Sequence, residues 1–215
     1  MSAVRPRCDS PHVLIDVGTP ASQRRLRRAG AARGGRARGR IDGVPISAPL
    51  PASVPAGPRL VLPGWTPEVA AAVVAGVRRA DWAPDFPAEG DRIVARLLAR
   101  DPGGPGWGEL GHRLLVERDG GTVVGGAGLF PAPDDGPAAV ELGYGVVPSR
   151  RGRGYAVEAA GLLLALARSA GASPLVAGVE PGNRASERVL ERIGMRPTGT
   201  RDGVARFRLD VGSGT

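Results

Sequence analysis

The chain predicts a single α/β (α+β) sheet domain behind a basic N-terminal tail. Two observations carry that expectation. Short apolar, β-branched stretches alternate with helical stretches from residue 58 to about residue 210, the pattern of strands and helices packed into one sheet domain. The positive charge is also concentrated in front of that region. Residues 1–57 hold ten arginines against three aspartates, whereas the remaining 19 arginines face 18 acidic residues. The domain itself is therefore nearly neutral, and the net charge of +8 belongs mostly to the tail. A length of 215 residues suits one domain of about 150 residues with an appendage.

The predicted elements follow in order. Residues 44–58 are proline-rich and read as an extended linker. A short strand covers 59–62. Thr66 before Pro67 is an N-cap followed by proline at the first helical position, for a helix reaching Val77. Residues 82–87 form an aromatic, proline-broken loop. A second helix starts at Gly90 or Asp91, with Ile93, Val94, Leu97 and Leu98 at helical spacing, and ends near Asp101-Pro102. Strands over 113–117 and 122–130 flank the turn Asp119-Gly120-Gly121. A strand over 139–147 leads into a long apolar helix over 154–170. A fifth strand covers 175–179, and a helix over 184–193 is closed by Gly194. Residues 203–209 complete the sheet, and 211–215 form a C-terminal tail.

Composition excludes several classes. All 29 basic residues are arginine, so neither a Walker A lysine nor a Schiff-base lysine exists. The single cysteine, Cys8, excludes internal disulfides and cysteine-rich zinc sites. His112 reads as a surface residue with no second histidine near it, and no metal site is expected. No apolar run approaches the ~18 residues of a membrane span, and a reducing cytoplasm is the expected location. The arginines between residues 24 and 40 form a run that reads as an unstructured extension. Contact of that run with nucleic acid or an anionic surface would be electrostatic, and no interleaved aromatic offers base stacking.

The chemistry concentrates at Ser149-Arg150-Arg151-Gly152-Arg153-Gly154 and the helix behind it. A strand, a basic glycine turn and a helix start bring free backbone N–H groups together, a cradle for a pyrophosphate. Gly152 and Gly154 permit close backbone approach. The turn resembles the pyrophosphate loop of the GNAT superfamily of acyl-CoA-dependent N-acyltransferases, Gln/Arg-x-x-Gly-x-Gly/Ala, with Ser149 in place of the first residue. Residues 175–195 resemble that family's fifth strand and following helix, including Asn183-x-x-Ser186. Met195 stands where an aromatic is usual. Residues 123–130 resemble its third strand. The resemblance spans roughly 58–210 and is nearest the branch of ribosomal-protein N-terminal and bacterial small-molecule acetyltransferases.

The resemblance implies a mostly antiparallel central sheet flanked by helices, with acetyl-CoA as co-substrate and an amine as acceptor. It implies that the N–H groups of Arg151, Gly152, Arg153, Gly154, Tyr155 and Ala156 take the pyrophosphate. The pantetheine arm would run beside Val146 and Val147, with the Val146 N–H polarising the thioester carbonyl. Asn183, also an N-cap, and Ser186 would contact the cofactor. Glu141, on the same strand face as Gly143 and Gly145, is the candidate base, acting directly or through water, while Tyr144 reads as packing. Relatives place a tyrosine acid seven residues after the asparagine. Leu190 stands there, which leaves Ser186 or water as proton donor. Trp82, Phe86 and Glu89, with Asp85 and Asp91, would wall the acceptor pocket. Glu158 reads as structural. A non-catalytic acyl-CoA sensor whose basic tail meets nucleic acid stays open beside the enzyme reading.

Overall fold

The structure is a computed structural model that describes residues 54–212. The basic run at 24–40 lies outside those residues. Seven strands form one sheet in the order β1-β2-β3-β4-β5-β7-β6. They are β1 (Leu60–Val61), β2 (His112–Glu117), β3 (Val123–Pro131), β4 (Val140–Val146), β5 (Leu175–Val179), β6 (Arg196–Arg201) and β7 (Val204–Leu209). Four helices accompany it: α1 (Pro67–Ala75), α2 (Glu89–Arg100), α3 (Tyr155–Ser169) and α4 (Arg184–Arg192). Every strand pairing is antiparallel except β4 with β5.

That one parallel pair is short. β4 keeps register with β3 from Val140 to Val146, but it meets β5 only at Val140↔Leu175 and Glu141↔Val176. Beyond Glu141 the two central strands separate, and the β5-facing edge of β4 runs on without a strand partner. Val147 N–H donates to Val124 O at 2.9 Å. Alternation along an antiparallel ladder then turns the backbone groups of Val146 to the opposite edge, into the opening.

Local chemistry explains the helices. Thr66 accepts from the Val69 N–H at 3.3 Å, and Gly76 closes α1 at φ 70°. α2 starts at Glu89, a residue earlier than its sequence suggests, because the Asp91 carboxylate reaches back to the Ala88 N–H at 2.9 Å. α3 places Ala159, Ala160, Leu163, Leu164 and Ala167 in the core and lies against β3 and β4. The Arg78 guanidinium donates to four carbonyls, those of Trp82, Ala83, Pro84 and Phe86, and so shapes the loop before α2.

Three sequence expectations need correction. β6 is missing from the pattern because Arg-Pro-Thr-Gly-Thr-Arg is exposed at every position and carries no apolar alternation. Its pairing to β7 through the Asp202-Gly203 turn holds it. Backbone pairing also reaches in front of residue 58, into the stretch that reads as linker. Gly57 N–H donates to Leu60 O, and Leu62 N–H donates to Pro55 O, both at 2.8 Å. His112 is no surface residue. It opens β2 at 6% exposure, with its ring edge-on to Phe130 at 4.4 Å.

Glu158 ties the first strand to the start of α3. Its carboxylate accepts from Arg59 N–H at 2.8 Å, Leu60 N–H at 2.9 Å and Arg59 Nε at 2.7 Å. Burial pushes this carboxyl up, and the Arg59 and Leu60 donors outweigh burial to hold it below the usual range. Replacing Glu158 with Ala strands the buried Leu60 N–H and is expected to cost about 1–2 kcal/mol, read as a lower urea midpoint. The carboxylate's contribution is present above the unfolded-state value of 4.5 and is lost as pH falls through the lower folded-state value. The gap between wild type and Glu158→Ala should therefore narrow in acid.

Candidate active site

Two cavities meet where β4 ends. One, of about 300 Å³, runs along the glycine turn to the start of α4 and includes Gly152, Gly154, Tyr155, Ala156, Asn183 and Ser186. The other, of about 130 Å³, lies under α2 and includes Glu89, Asp91, His112, Gly126, Gly143 and Phe130. Tyr144, Gly145, Val146 and Arg151 line both.

The turn presents backbone, and its side chains are largely committed elsewhere. Gly152 and Gly154 take φ values of 76° and 78°. The N–H groups of Gly152 to Val157 find no hydrogen-bond partner among the described residues, and they stand at the positive end of α3. Arg150 Nε and the Tyr155 hydroxyl donate to Glu117 Oε1 at 3.2 and 2.8 Å, with Arg153 Nη1 4.0 Å from the same oxygen. Arg59 Nη1 donates to Arg153 O at 2.6 Å. Arg151 Nε donates to Val146 O at 3.0 Å, across the junction of the cavities. Ser149 has a local reason to differ from the family pattern. Its N–H and hydroxyl donate to Asp85 at 2.8 and 2.6 Å, which anchors the turn's entrance.

On the second cleft wall, Asn183 Oδ1 accepts from the Ser186 N–H at 3.1 Å and caps α4. Ser186 is 5% exposed beside it. Leu190 is fully buried, so the position where relatives carry a tyrosine is packing here.

The smaller cavity has a floor of glycines. Gly126 and Gly145 oppose one another across β3 and β4, as do Gly128 and Gly143. A Cβ on Gly126 would stand 2.7 Å from Asp91 Oδ1, so glycine is required for that carboxylate to lie flat on the sheet. Burial pushes the Asp91 carboxyl up to about 7, against the Ala88 N–H and the Arg92 charge that pull it down. Burial holds His112 down at about 3, a neutral imidazole in neutral solution.

Several expected site residues stand elsewhere. Trp82 and Phe86 pack edge-on at 5.0 Å, with exposures of 5% and 1%, and line neither of these cavities. Asp85 serves the turn instead of the acceptor wall. Val147 is fully buried, and its N–H is spent on Val124. The Arg153 side chain is exposed, with Nη1 4.0 Å from Glu117 Oε1. Glu141 shares the sheet face with Gly143 and Gly145 by alternation but lines neither cavity. It is 3% exposed and accepts from Arg206 Nη1 at 2.8 Å, and Arg206 Nη2 also lies 3.5 Å from Asp135. Gly143 and Gly145 stand where the sequence reading put them, on the open face of β4, whereas Trp65, His112, Phe130 and the β3 glycines were not singled out for this cavity. Their one sequence signal is Gly125-Gly126-Ala127-Gly128, small residues in a strand.

The family model described as Acetyltransferase (GNAT) domain matches residues 59–196. The chain belongs to the GNAT acetyltransferases. A Bordetella pertussis structure described as a GnaT-family acetyltransferase is 31% identical, with a TM-score of 0.54 over 74% of this chain and 99% of that one. An acetyltransferase from Agrobacterium tumefaciens shares the fold at 23% identity and a TM-score of 0.51, over 79% of this chain and 98% of that one. The uncharacterized N-acetyltransferase YjdG of Bacillus subtilis (strain 168) is 36% identical over 83 residues, which cover 38% of this chain and 48% of YjdG. The chain thus spans about half the length of that curated relative. GNAT acetyltransferases draw their acyl group from acetyl-CoA, and the turn and larger cleft suit that donor: free N–H groups, two left-handed glycines and a 300 Å³ trough. Among the described residues, no cluster of side chains could hold a metal ion, and no helix is long and apolar enough to cross a membrane.

Asp91 and His112 should leave opposite marks on stability. Between 3.8 and about 7, folded Asp91 holds a proton that the unfolded chain has released, so its contribution falls as pH rises. Between about 3 and 6.5, unfolded His112 binds a proton that the folded form refuses, so its contribution rises. The two slopes offset between 3.8 and 6.5. In Asp91→Asn the rising slope stands alone, up to about 1.4 kcal/mol per pH unit relative to wild type. Urea midpoints measured at intervals across this range read the change.

Proposed function

We propose that this protein acetylates a primary amine, with acetyl-CoA and acceptor bound together and the amine attacking the thioester directly. The meeting of a phosphate-cradling cleft and a carboxylate-containing cavity at Tyr144, Gly145, Val146 and Arg151 carries the reading. Holding two reactants at such a junction supplies much of the rate by removing the entropy of encounter. The N–H groups of the turn bind the pyrophosphate. The Val146 N–H, turned into the gap between β4 and β5, polarises the thioester carbonyl. Asn183 and Ser186 contact the donor from the other wall, and Ser186 or water returns a proton to the departing thiolate.

The acceptor class follows from the smaller cavity. Glu89 and Asp91 favour a cation arriving from water. At about 130 Å³ the space is close to the ~150 Å³ engineered void that holds benzene. It takes a compact amine, or the first residue of a polypeptide N-terminus. The expectation for Glu141 as base loses geometric support, because Arg206 already neutralises it outside both cavities.

A panel of small amines and peptide N-termini, scored by free thiol release and product mass, tests the activity. Absence of CoA release with every acceptor would count against transfer and for a sensor. Gly152→Val tests the cradle. A β-branched residue is strained at φ 76°, so the turn must re-form and withdraw its N–H groups. Acetyl-CoA affinity should fall about 30-fold, or ~2 kcal/mol, in calorimetry on protein whose melting temperature shows it folded. Unchanged affinity would remove the turn from the donor site.

A further inference from the structure

We propose that Asp91, rather than Glu141, takes the proton from the attacking amine. The assignment rests on the acetyl-transfer reading above and extends it to the proton. Asp91 stands in the first turn of α2, is 6% exposed, and lines the acceptor cavity. Its Oδ2 accepts from the Ala88 N–H at 2.9 Å. Its Oδ1 has no hydrogen-bond partner among the described residues and lies 2.7 Å from where a Cβ on Gly126 would stand. Gly126 opposes Gly145, one of the four residues that line both cavities. Opposed α-carbons in such a ladder are about 5.5 Å apart. Oδ1 thus overhangs the strand pair at the point where amine and thioester would come together.

The surroundings suit a base. Gly126 of β3 lies beneath the carboxylate, and no sheet residue among those described hydrogen-bonds it. On its own helix the charged neighbours are Glu89, also on the cavity wall, and Arg92. From β2 comes His112, and across the cavity from the turn comes Arg151. Burial keeps His112 neutral and lifts Asp91 to about 7. A carboxylate of ordinary acidity is a feeble acceptor for an ammonium proton, and one tuned to neutral pH is far better matched.

The step balances without another reactant. Oδ1 removes one proton from R–NH3+, leaving R–NH2 and a neutral Asp91. The nitrogen lone pair forms the C–N bond to the acetyl carbon, and the C–S bond breaks with its electrons on sulfur. The second nitrogen proton passes to the thiolate, giving the amide and CoA thiol. Asp91 then loses its proton to solvent.

Asp91→Asn is the variant of choice, because its amide oxygen can still accept from the Ala88 N–H. With an acceptor from the amine panel, the wild-type profile of kcat/KM should fall on the acid side of about pH 7. Asp91→Asn should lower kcat about 100-fold or more, abolish that limb, and leave acetyl-CoA affinity within about twofold. Glu141→Gln should keep the limb. A readout independent of turnover is the carboxyl carbon resonance of labelled aspartate in protein without acetyl-CoA. One signal should titrate near 7 and be missing from Asp91→Asn. If the variant keeps the limb and near wild-type turnover, or if no aspartate titrates near neutrality, the assignment to Asp91 is overturned while acetyl transfer stands. If wild type releases no CoA with any amine, both readings fall together.

Discussion

The parting of β4 from β5 is the constraint on which the rest of the molecule depends. A strand buried mid-sheet normally spends every N–H and C=O on its neighbours. β4 does so toward β3 along its whole length and toward β5 for only two residue pairs. Its remaining edge must find other partners or face a ligand. One such group, the Val146 carbonyl, is taken by Arg151. Pulling the strands together would require the glycine turn and α4 to close on one another, and their separation is the larger cleft itself. Sheet geometry therefore creates the larger cleft, and the turn's residues line it.

The arginines around the turn act mostly as scaffolding. Arg59, Arg150 and Arg153 look inward to Glu158, Glu117 and backbone carbonyls. A phosphate bound here would meet the free peptide N–H groups held in place by those pairs, with Arg150, Arg151, Arg188 and Arg192 also on the cleft wall. Such donors are already aligned before a ligand arrives, so little ordering is needed on binding. Exposed guanidinium groups would gain less in water and lose more rotamer freedom. The arrangement also explains why Ser149 is tolerated: Asp85 holds the turn's entrance from a loop that Arg78 fixes through four carbonyls.

Sequence exposed those parts of the fold whose signals are local. Thr66-Pro67, the β2–β3 hairpin, the turn at 149–154 and Asn183-x-x-Ser186 each carry chemistry within a few residues, and each forms where expected. The acceptor side was harder to read because its signals are long-range. Trp82 and Phe86 have the composition of a pocket wall, yet a well-packed interior uses the same residues. Only the Trp82 bridge to Val123 and the Arg78 clamp decide between the two. His112 reads as a surface residue, but β2 is buried on both faces from its first residue. β6 has no pattern of its own and exists because β7 is next to it.

The two acids considered for catalysis show how environment, more than residue type or strand position, assigns roles. Glu141 and Asp91 are both nearly inaccessible to solvent. Arg206 meets Glu141 at 2.8 Å and is itself held near Asp135, so that carboxylate belongs to an ion-pair cluster joining β4, β7 and the turn before β4. Removing one member of such a cluster leaves an uncompensated buried charge, which makes it costly to disturb. Asp91 has a helix amide on one oxygen and bare glycine backbone beneath the other. Burial that outweighs the Ala88 N–H and the Arg92 charge is what moves this carboxyl toward neutral pH. The missing side chain of Gly126 leaves the space in which the Asp91 carboxylate lies.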